Sequence, residues 1–492
     1  MLQQKDHLPS VVSLKICLFL FLSLCVWQGR AQTANAAVLD VCLSGCNYSS
    51  IQDAIDAAAA SGDTIEFMVN KQTFNETITI NNKSLTFLGQ TTTINAQDGG
   101  TAVIITGNPT VVMQNMIIQN GNITDGNGGG IRLSGGDLTL SNVTLSSNDV
   151  TGNGTSNGLG GCLYIAGSGS QIQLTDVTIQ TGTAVSGGAI YNNGTLIADN
   201  LTVTDNNAAH GGGIYNNGTA TLDASAAQRN IATQSGGAFF NASGDTFTLN
   251  NSSLLNNDAA DGAGIFNEGS LQLSNTNIGS GHEAKPAGGG LYNNGKSTLT
   301  NSTVAQNVAD TGAGIFNDGT LMANNSTLSR NTGANGAGLY NANGNATFNN
   351  VTIHLTVGTS IFANGGSVAV GNTIISSVSG QAACGGSGTF FSSNGYNLAS
   401  DQTCTFLTET GDLQGLNPDL NGITSPTEGA AYHSPKITSP VIDAGNPAEP
   451  GSGGNACLGS DQRGLARPQS KRCDIGAVEI VVYRVYTPLV IK

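Results

Sequence analysis

The stretch Gly187-Gly188-Ala189-Ile190-Tyr191-Asn192-Asn193-Gly194 decides how this chain is read, because it keeps returning. It recurs as Gly212-Gly213-Ile214-Tyr215-Asn216-Asn217-Gly218, Gly262-Ala263-Gly264-Ile265-Phe266-Asn267 and Gly289-Gly290-Leu291-Tyr292-Asn293-Asn294-Gly295. Further copies stand at Gly312-Ala313-Gly314-Ile315-Phe316 and Gly336-Ala337-Gly338-Leu339-Tyr340, with looser ones at Gly128, Gly160 and Gly236. The aromatic slot falls at 164, 191, 215, 240, 266, 292, 316 and 340, at intervals of 27, 24, 25, 26, 26, 24 and 24. A period this constant marks stacked supersecondary units, none of which buries its apolar face alone.

A second apolar run follows each turn, as in Thr298-Leu299-Thr300-Asn301-Ser302-Thr303-Val304. These runs are strand-length, rich in Val, Ile, Leu and Thr, and punctuated by Gly and Asn, so no repeat has room for a helix. Two or three strands per ~25 residues make one coil of a right-handed parallel β-helix, and the chain is expected to be all-β, with about twelve such coils over residues 66–380.

Alternation along an extended strand assigns the slots. Ile131, Leu163, Ile190, Ile214, Phe239, Ile265, Leu291, Ile315 and Leu339 are apolar in every copy and should face inward. The neighbouring aromatic column then faces outward, and its first copy is Arg132, which a dry core would not accept unpaired. The small residue before each aliphatic one requires close backbone approach; Cys162 occupies that slot and reads as a small, buried, inert thiol. Aligned on the second run, Asn115, Asn142, Asp176, Asn200, Asn251, Asn275, Asn301, Asn325, Asn350 and Asn372 form a column broken at Ala224. Their amides are expected to hydrogen-bond from coil to coil.

Before the repeats, Ile16 to Trp27 is apolar apart from Ser23 and follows Lys5 and Lys15. It is shorter than the ~20 residues a spanning helix needs, and with Ala34-Asn35-Ala36 it reads as a signal peptide over 1–36. No later segment looks transmembrane. An N-terminal cap is expected over 37–65, where Ile51, Ala54, Ile55 and Ala58 share a helical face behind a Ser50/Asp53 capping box. Export makes disulfides the default for the local pairs Cys42/Cys46, Cys384/Cys404 and Cys457/Cys473. The net charge of −15 repels phosphate backbones, so nucleic acid is not an expected partner.

The segment Cys42 to Ile65 resembles the N-terminal cap of secreted right-handed β-helix proteins, pectate-lyase-like ones included. The repeats over about 130–350 resemble polymorphic outer-membrane-protein repeats. Past 380, Asn394-Gly395-Tyr396-Asn397-Leu398, Ser439-Pro440-Val441-Ile442-Asp443-Ala444-Gly445, Asp461-Gln462-Arg463-Gly464, Arg467-Pro468 and Cys473-Asp474-Ile475-Gly476-Ala477-Val478-Glu479 follow in order. They resemble the choice-of-anchor Q domain, here 381–479, although Thr424-Ser425-Pro426 stands where Asn-Gly-Gly is usual. That resemblance implies a disulfide-clamped C-terminal cap module in the bacterial envelope, secreted or at the cell surface, with 480–492 as a tail.

A lyase needs a base beside Ca²⁺-held carboxylates, and a glycosidase needs two carboxylates about 5–9.5 Å apart. Between 101 and 380 the five basic residues, Arg132, Arg229, Lys285, Lys296 and Arg330, lie in different coils. His210-Gly211-Gly212-Gly213 copies an esterase oxyanion string without a Gly-x-Ser-x-Gly elbow. Asp205, Asp258, Asp261 and Asp310 precede the Gly motif and line one edge; they read as solvated turn carboxylates, with Ca²⁺ the competing reading and no other cofactor indicated. Around Asp461, Arg463, Arg467 and Asp474 a structural ion-pair network is expected over an active site. The aromatic column reads first as shielding the coil edges by stacking on itself, because Phe and Tyr interchange in it; Tyr164, Tyr191, Tyr215, Tyr292 and Tyr340 are the candidate glycan-binding residues on the competing reading. The expected function is a non-enzymatic, adhesin-like scaffold that meets an extracellular or cell-surface polysaccharide; a polysaccharide-active enzyme is the alternative.

Overall fold

A computed structural model describes residues 36–59, 61–152, 157–426 and 429–481. Apart from Ala36, the expected signal peptide lies outside these residues, as does nearly all of the tail.

The coil beginning at Ile190 shows how the repeat folds. Ile190–Asn192, Thr195–Asp199, Thr202–Thr204 and Asn207–His210 are its strands. Gly194 makes the first corner, and residues with positive φ make the others: Asn200 (54°), Asp205 (58°) and Gly211 (60°). Ile214, Tyr215 and Asn216 of the next coil then pair in parallel with Ile190, Tyr191 and Asn192. The same register carries from coil to coil, giving sheets of 27, 13, 5 and 2 strands among the described residues. This is a parallel β-helix. Ile190, Ile214, Ile265 and Ile315 are each at most 1% exposed, as the inward slot requires.

The Asn column is explained by its backbone. Every member from Asn115 to Asn372 sits at φ between 44° and 55°, and Ala224, where the column breaks, does so too at 47°. Asn and Asp tolerate this left-handed region better than other residues with a side chain, which accounts for the column even where no ladder forms. Asn142 does donate to Asn115 (2.8 Å), Asn200 to Asp176 (2.7 Å) and Asn275 to Asn251 (3.2 Å). Asn325 and Asn350 instead donate to the backbone of the C-terminal segment, at Ser460 and Gly476.

Two other asparagine ladders are buried. Asn192, Asn216, Asn241, Asn267, Asn293, Asn317 and Asn341 are 0% exposed, and each amide donates to the next carbonyl oxygen at 2.7–2.9 Å. Asn206, Asn230 and Asn257 repeat the pattern at the opposite corner, as do Asn307 and Asn331. His282 stands between these two groups.

Coil stacking extends past both expected limits. Val38–Val41 already pairs in parallel with Ser61–Phe67, inside the stretch expected to be only a cap. At the other end Cys384–Gly386, Phe391–Ser393, Leu398–Ala399 and Leu413–Gln414 continue the sheets. Of the stack of 13 strands beginning at Ile78–Asn81, twelve lie within 66–380, the number read from the period, and Cys384–Gly386 is the thirteenth. The cap helix is Ile51–Ala57, with Ile51, Ala54 and Ile55 buried. Ser50 Oγ accepts from Asp53 N–H (3.3 Å), and Glu76 from a neighbouring coil accepts from the amides of Ile51 (2.8 Å) and Gln52 (3.2 Å). Lys83 donates to the carbonyls of Ile55, Asp56 and Ala58. An anion at the N-terminus and a cation at the C-terminus complement the helix dipole.

Candidate functional site

The outward aromatic column forms one continuous stack. From Tyr164 to Tyr340 and on to Phe362, successive rings lie 4.5–5.7 Å apart and within 27° of parallel. In-register pairing fixes this, because each ring stands directly over the same position of the previous coil. Consequently the faces of Tyr191, Tyr215 and Tyr292 are occupied by neighbouring rings, and they present edges and hydroxyls outward. Burial pushes the Tyr191 hydroxyl up to about 12, with Tyr215, Tyr164 and Asp245 adding to it. Tyr215 is raised by burial and by Glu268 and Asp245, and Tyr292 by burial and by Asp261 and Asp318. His210 belongs to this stripe, edge-on to Phe240 at 5.7 Å.

A second surface lies on the strands Asn207–His210, Ile231–Ser235, Asp258–Asp261, Glu283–Ala287 and Val308–Thr311. Their inward side chains are alanines, Ala232, Ala259, Ala284 and Ala309, which pack this flank tightly. Their outward side chains border three hollows in line. The first, ≈ 270 Å³, is bounded by Arg229, Ile231, Asp258 and Glu283. The second, ≈ 490 Å³, shares Ile231, Asp258 and Glu283 with it and adds Lys285. The third, ≈ 760 Å³, runs from Lys285 past Val308 and Asp310 to Val357 and Gln381. Ile231, Asp258, Glu283, Val308, Thr332 and Val357 are register partners in turn, so the groove runs along the helix axis. Five strand spacings of ~4.8 Å make it about 24 Å long.

The predicted aspartates separate here. Asp205 is taken by Arg229 at 2.7 Å, which holds its carboxyl below the ordinary range. Asp258 neighbours Glu283 on the next coil and is raised by burial and then by that charge, while Asp261 is raised by burial. Asp310 lies in the third hollow. Among the described residues no three His, Cys, Asp or Glu side chains converge as metal ligands would.

The C-terminal segment closes on the last coils through Leu420, Val441 and Ile475, which pack on Ile374 and Leu398. It also runs back along the flank, which the sequence motifs did not indicate. Gln462 bridges Thr303 and Thr327, His433 lies 2.8 Å from Ser329 Oγ, and Ala477 N–H donates to Thr352 Oγ1 at 2.9 Å. Within it Arg467, 6% exposed, ion-pairs with Glu479 and donates to the carbonyls of Ser460, Asp474 and Gly476. Arg463 pairs with Asp461 at 2.6 Å. Asp474 accepts from the amides of Asp443 and Ile480, and burial followed by Glu479 pushes it up to about 7. Each charge is answered within the segment, so this cluster holds the chain together. Disulfides join Cys42 to Cys46, Cys384 to Cys404 and Cys457 to Cys473. Cys162 is free and buried, and desolvation pushes its thiol up to about 12, which leaves it unreactive.

No protein-family model and no curated protein matches this chain. Among solved structures it is similar to the pectin methylesterase from Aspergillus niger in deglycosylated form, at 15% identity and a TM-score of 0.19, covering 76% of this chain and 94% of that one. A likeness that loose carries no argument, and the fold rests on the strand pairing described above. Among the described residues no helix is long and apolar enough to cross a membrane.

Proposed function

We propose that this chain is an extracellular or cell-surface scaffold that binds an extended polysaccharide along its flank and does no chemistry on it. The observation that carries this reading is the axial groove, in which equivalent positions recur at each coil from Ile231 to Val357. A surface repeating every ~4.8 Å suits a repeating ligand, where many weak contacts add up through effective concentration. Three disulfides fit an oxidising compartment. The resemblance of the repeats and of the C-terminal motifs to envelope proteins supports the location. Tyr191, Tyr215, Tyr292 and Tyr340 contribute through hydroxyls and ring edges, since stacking takes both their faces, and Tyr164 ends the column, stacked on Tyr191 and in register with Arg132 on its other side.

One observation favours the enzyme reading: Asp258 and Glu283 are carboxylates on adjacent coils with no ion-pair partner among the described residues, and Asp258 is raised, as a general acid would be. A glycan-binding screen run beside a turnover assay on pectin, alginate and neutral plant polymers, with and without Ca²⁺, separates the two. Binding without turnover, weakened by Ile231→Asp in the groove, is the expected result. Turnover abolished by Asp258→Asn or Glu283→Gln overturns the scaffold.

A further inference from the structure

A further hollow adjoins the last section of the groove. Gln381, which bounds the groove's last section, also bounds a polar cavity of ≈ 470 Å³ between the final coils and the C-terminal segment. Its walls include His354, Ser376, Ser377, Ser400 and Asp401. Asp401 is the carboxylate among them, and both its oxygens are engaged. Oδ1 accepts from the amide (2.9 Å) and hydroxyl (2.6 Å) of Thr403, and Oδ2 from the amide of Ala383 (3.0 Å). His354 is 8% exposed; Nδ1 lies 3.3 Å from Ser376 Oγ, and Nε2 has no partner among the described residues. Burial, then His433 and Arg330, lower its pKa to about 3, so the imidazole is neutral. The Ser400 hydroxyl makes no hydrogen bond within the described protein and is left for a ligand.

We infer that this hollow binds the terminal ring of a neutral polysaccharide whose following units lie in the axial groove. The inference rests on the polymer-binding reading above and adds the ligand class and the polarity of binding. Serine hydroxyls and a neutral imidazole both donate and accept, as a sugar ring's hydroxyls do, so each side satisfies the other. An anionic ligand would lose hydration and find no cation on these walls, and the oxygens of Asp401, the one carboxylate, are already engaged by Thr403 and Ala383. The volume falls within the ~300–1,000 Å³ of small-molecule sites. The column of register partners that lines the groove ends at Val357, in the section that Gln381 also bounds, so the last ring of a chain lying along that column falls at this hollow.

Calorimetric titration of the intact chain with cello- and xylo-oligosaccharides, disaccharide to hexasaccharide, and with the parent polymers is the test. Ser400→Phe, which narrows the hollow, is expected to weaken oligosaccharide binding about tenfold, and Ser400→Ala about threefold, with the thermal midpoint of Ser400→Ala unchanged. If the polymers bind and both substitutions leave oligosaccharide affinity at its original value, terminal recognition is overturned while the groove reading stands. Tighter binding of uronate or glucosamine oligomers than of neutral ones overturns the ligand class. Failure of every polymer to bind removes the groove reading and this one together.

Discussion

A single buried amide shows what holds consecutive coils in register. Asn267 accepts from Asn241 and donates to Asn293 with no solvent to replace either bond. Asn267→Ala is expected to cost about 1–3 kcal/mol, because it removes two buried hydrogen bonds, leaving the Asn241 amide only its longer bonds to Asp245 and Ser270 and Asn293 Oδ1 only the Ser297 hydroxyl. A fall in denaturant midpoint at constant slope checks it. His282 is the instructive exception in the second ladder. It occupies an asparagine position, it is fully buried, and desolvation lowers its pKa to about 4 against the opposing bonds from Asn257 and Leu254. A base whose folded pKa lies below its unfolded value of about 6.5 stabilises the fold above that value, and the contribution is lost as pH falls toward 4. Asn307 Oδ1, on the next coil, is buried without a hydrogen-bond partner among the described residues. His282→Asn is therefore expected to give that oxygen a donor and to flatten the loss of stability between about pH 6.5 and about pH 4, read as thermal midpoint against pH.

The aromatic stack is an element-scale device. Phe266 is stacked on both sides, at 5.2 Å to Phe240 and 4.7 Å to Tyr292. Phe266→Ala removes two aromatic contacts of about 0.5–1.5 kcal/mol each besides its burial, whereas Tyr215→Phe keeps the faces in contact and is expected to be neutral within about 0.5 kcal/mol. Comparing the two midpoints checks the assignment: a loss for Tyr215→Phe equal to that for Phe266→Ala would mean that hydroxyls, and not ring faces, hold the column. The cap helix makes the same point about neighbours, since Glu76 and Lys83 reach it from a later coil and secure seven residues that would not be helical alone.

Across the whole molecule, the C-terminal segment is bound to the flank of the coils through buried polar contacts. Arg467 is at its centre, paired with Glu479 and touching Asn325 of the coils at 3.4 Å. Arg467→Ala leaves Glu479 buried without its partner, which costs about 3–5 kcal/mol. The loss is expected to be local: amide hydrogen exchange should accelerate over 456–479 while the strands around Ile190 and Ile214 keep their protection. Uniform acceleration along the chain would show instead that coils and segment unfold as one unit.

The period of 24–27 residues, the inward aliphatic slot and the outward aromatic slot were legible in the sequence, because repetition and strand alternation are local properties read one residue at a time. The buried ladder of Asn192, Asn216 and Asn241 was legible in principle too, two residues past an inward aliphatic, but Asn in a turn-rich repeat is first read as a turn residue. What the column from Asn115 to Asn372 does was not legible, since one residue type serves left-handed backbone in every coil, a ladder in some and contacts to the C-terminal segment in others. The groove from Ile231 to Gln381, the hollow beside His354 and the path of the C-terminal segment were decided by tertiary structure alone. Each joins residues from different coils or from distant segments, and a surface of that kind exists only once stacking has set positions 24–27 residues apart in sequence within about 5 Å of each other.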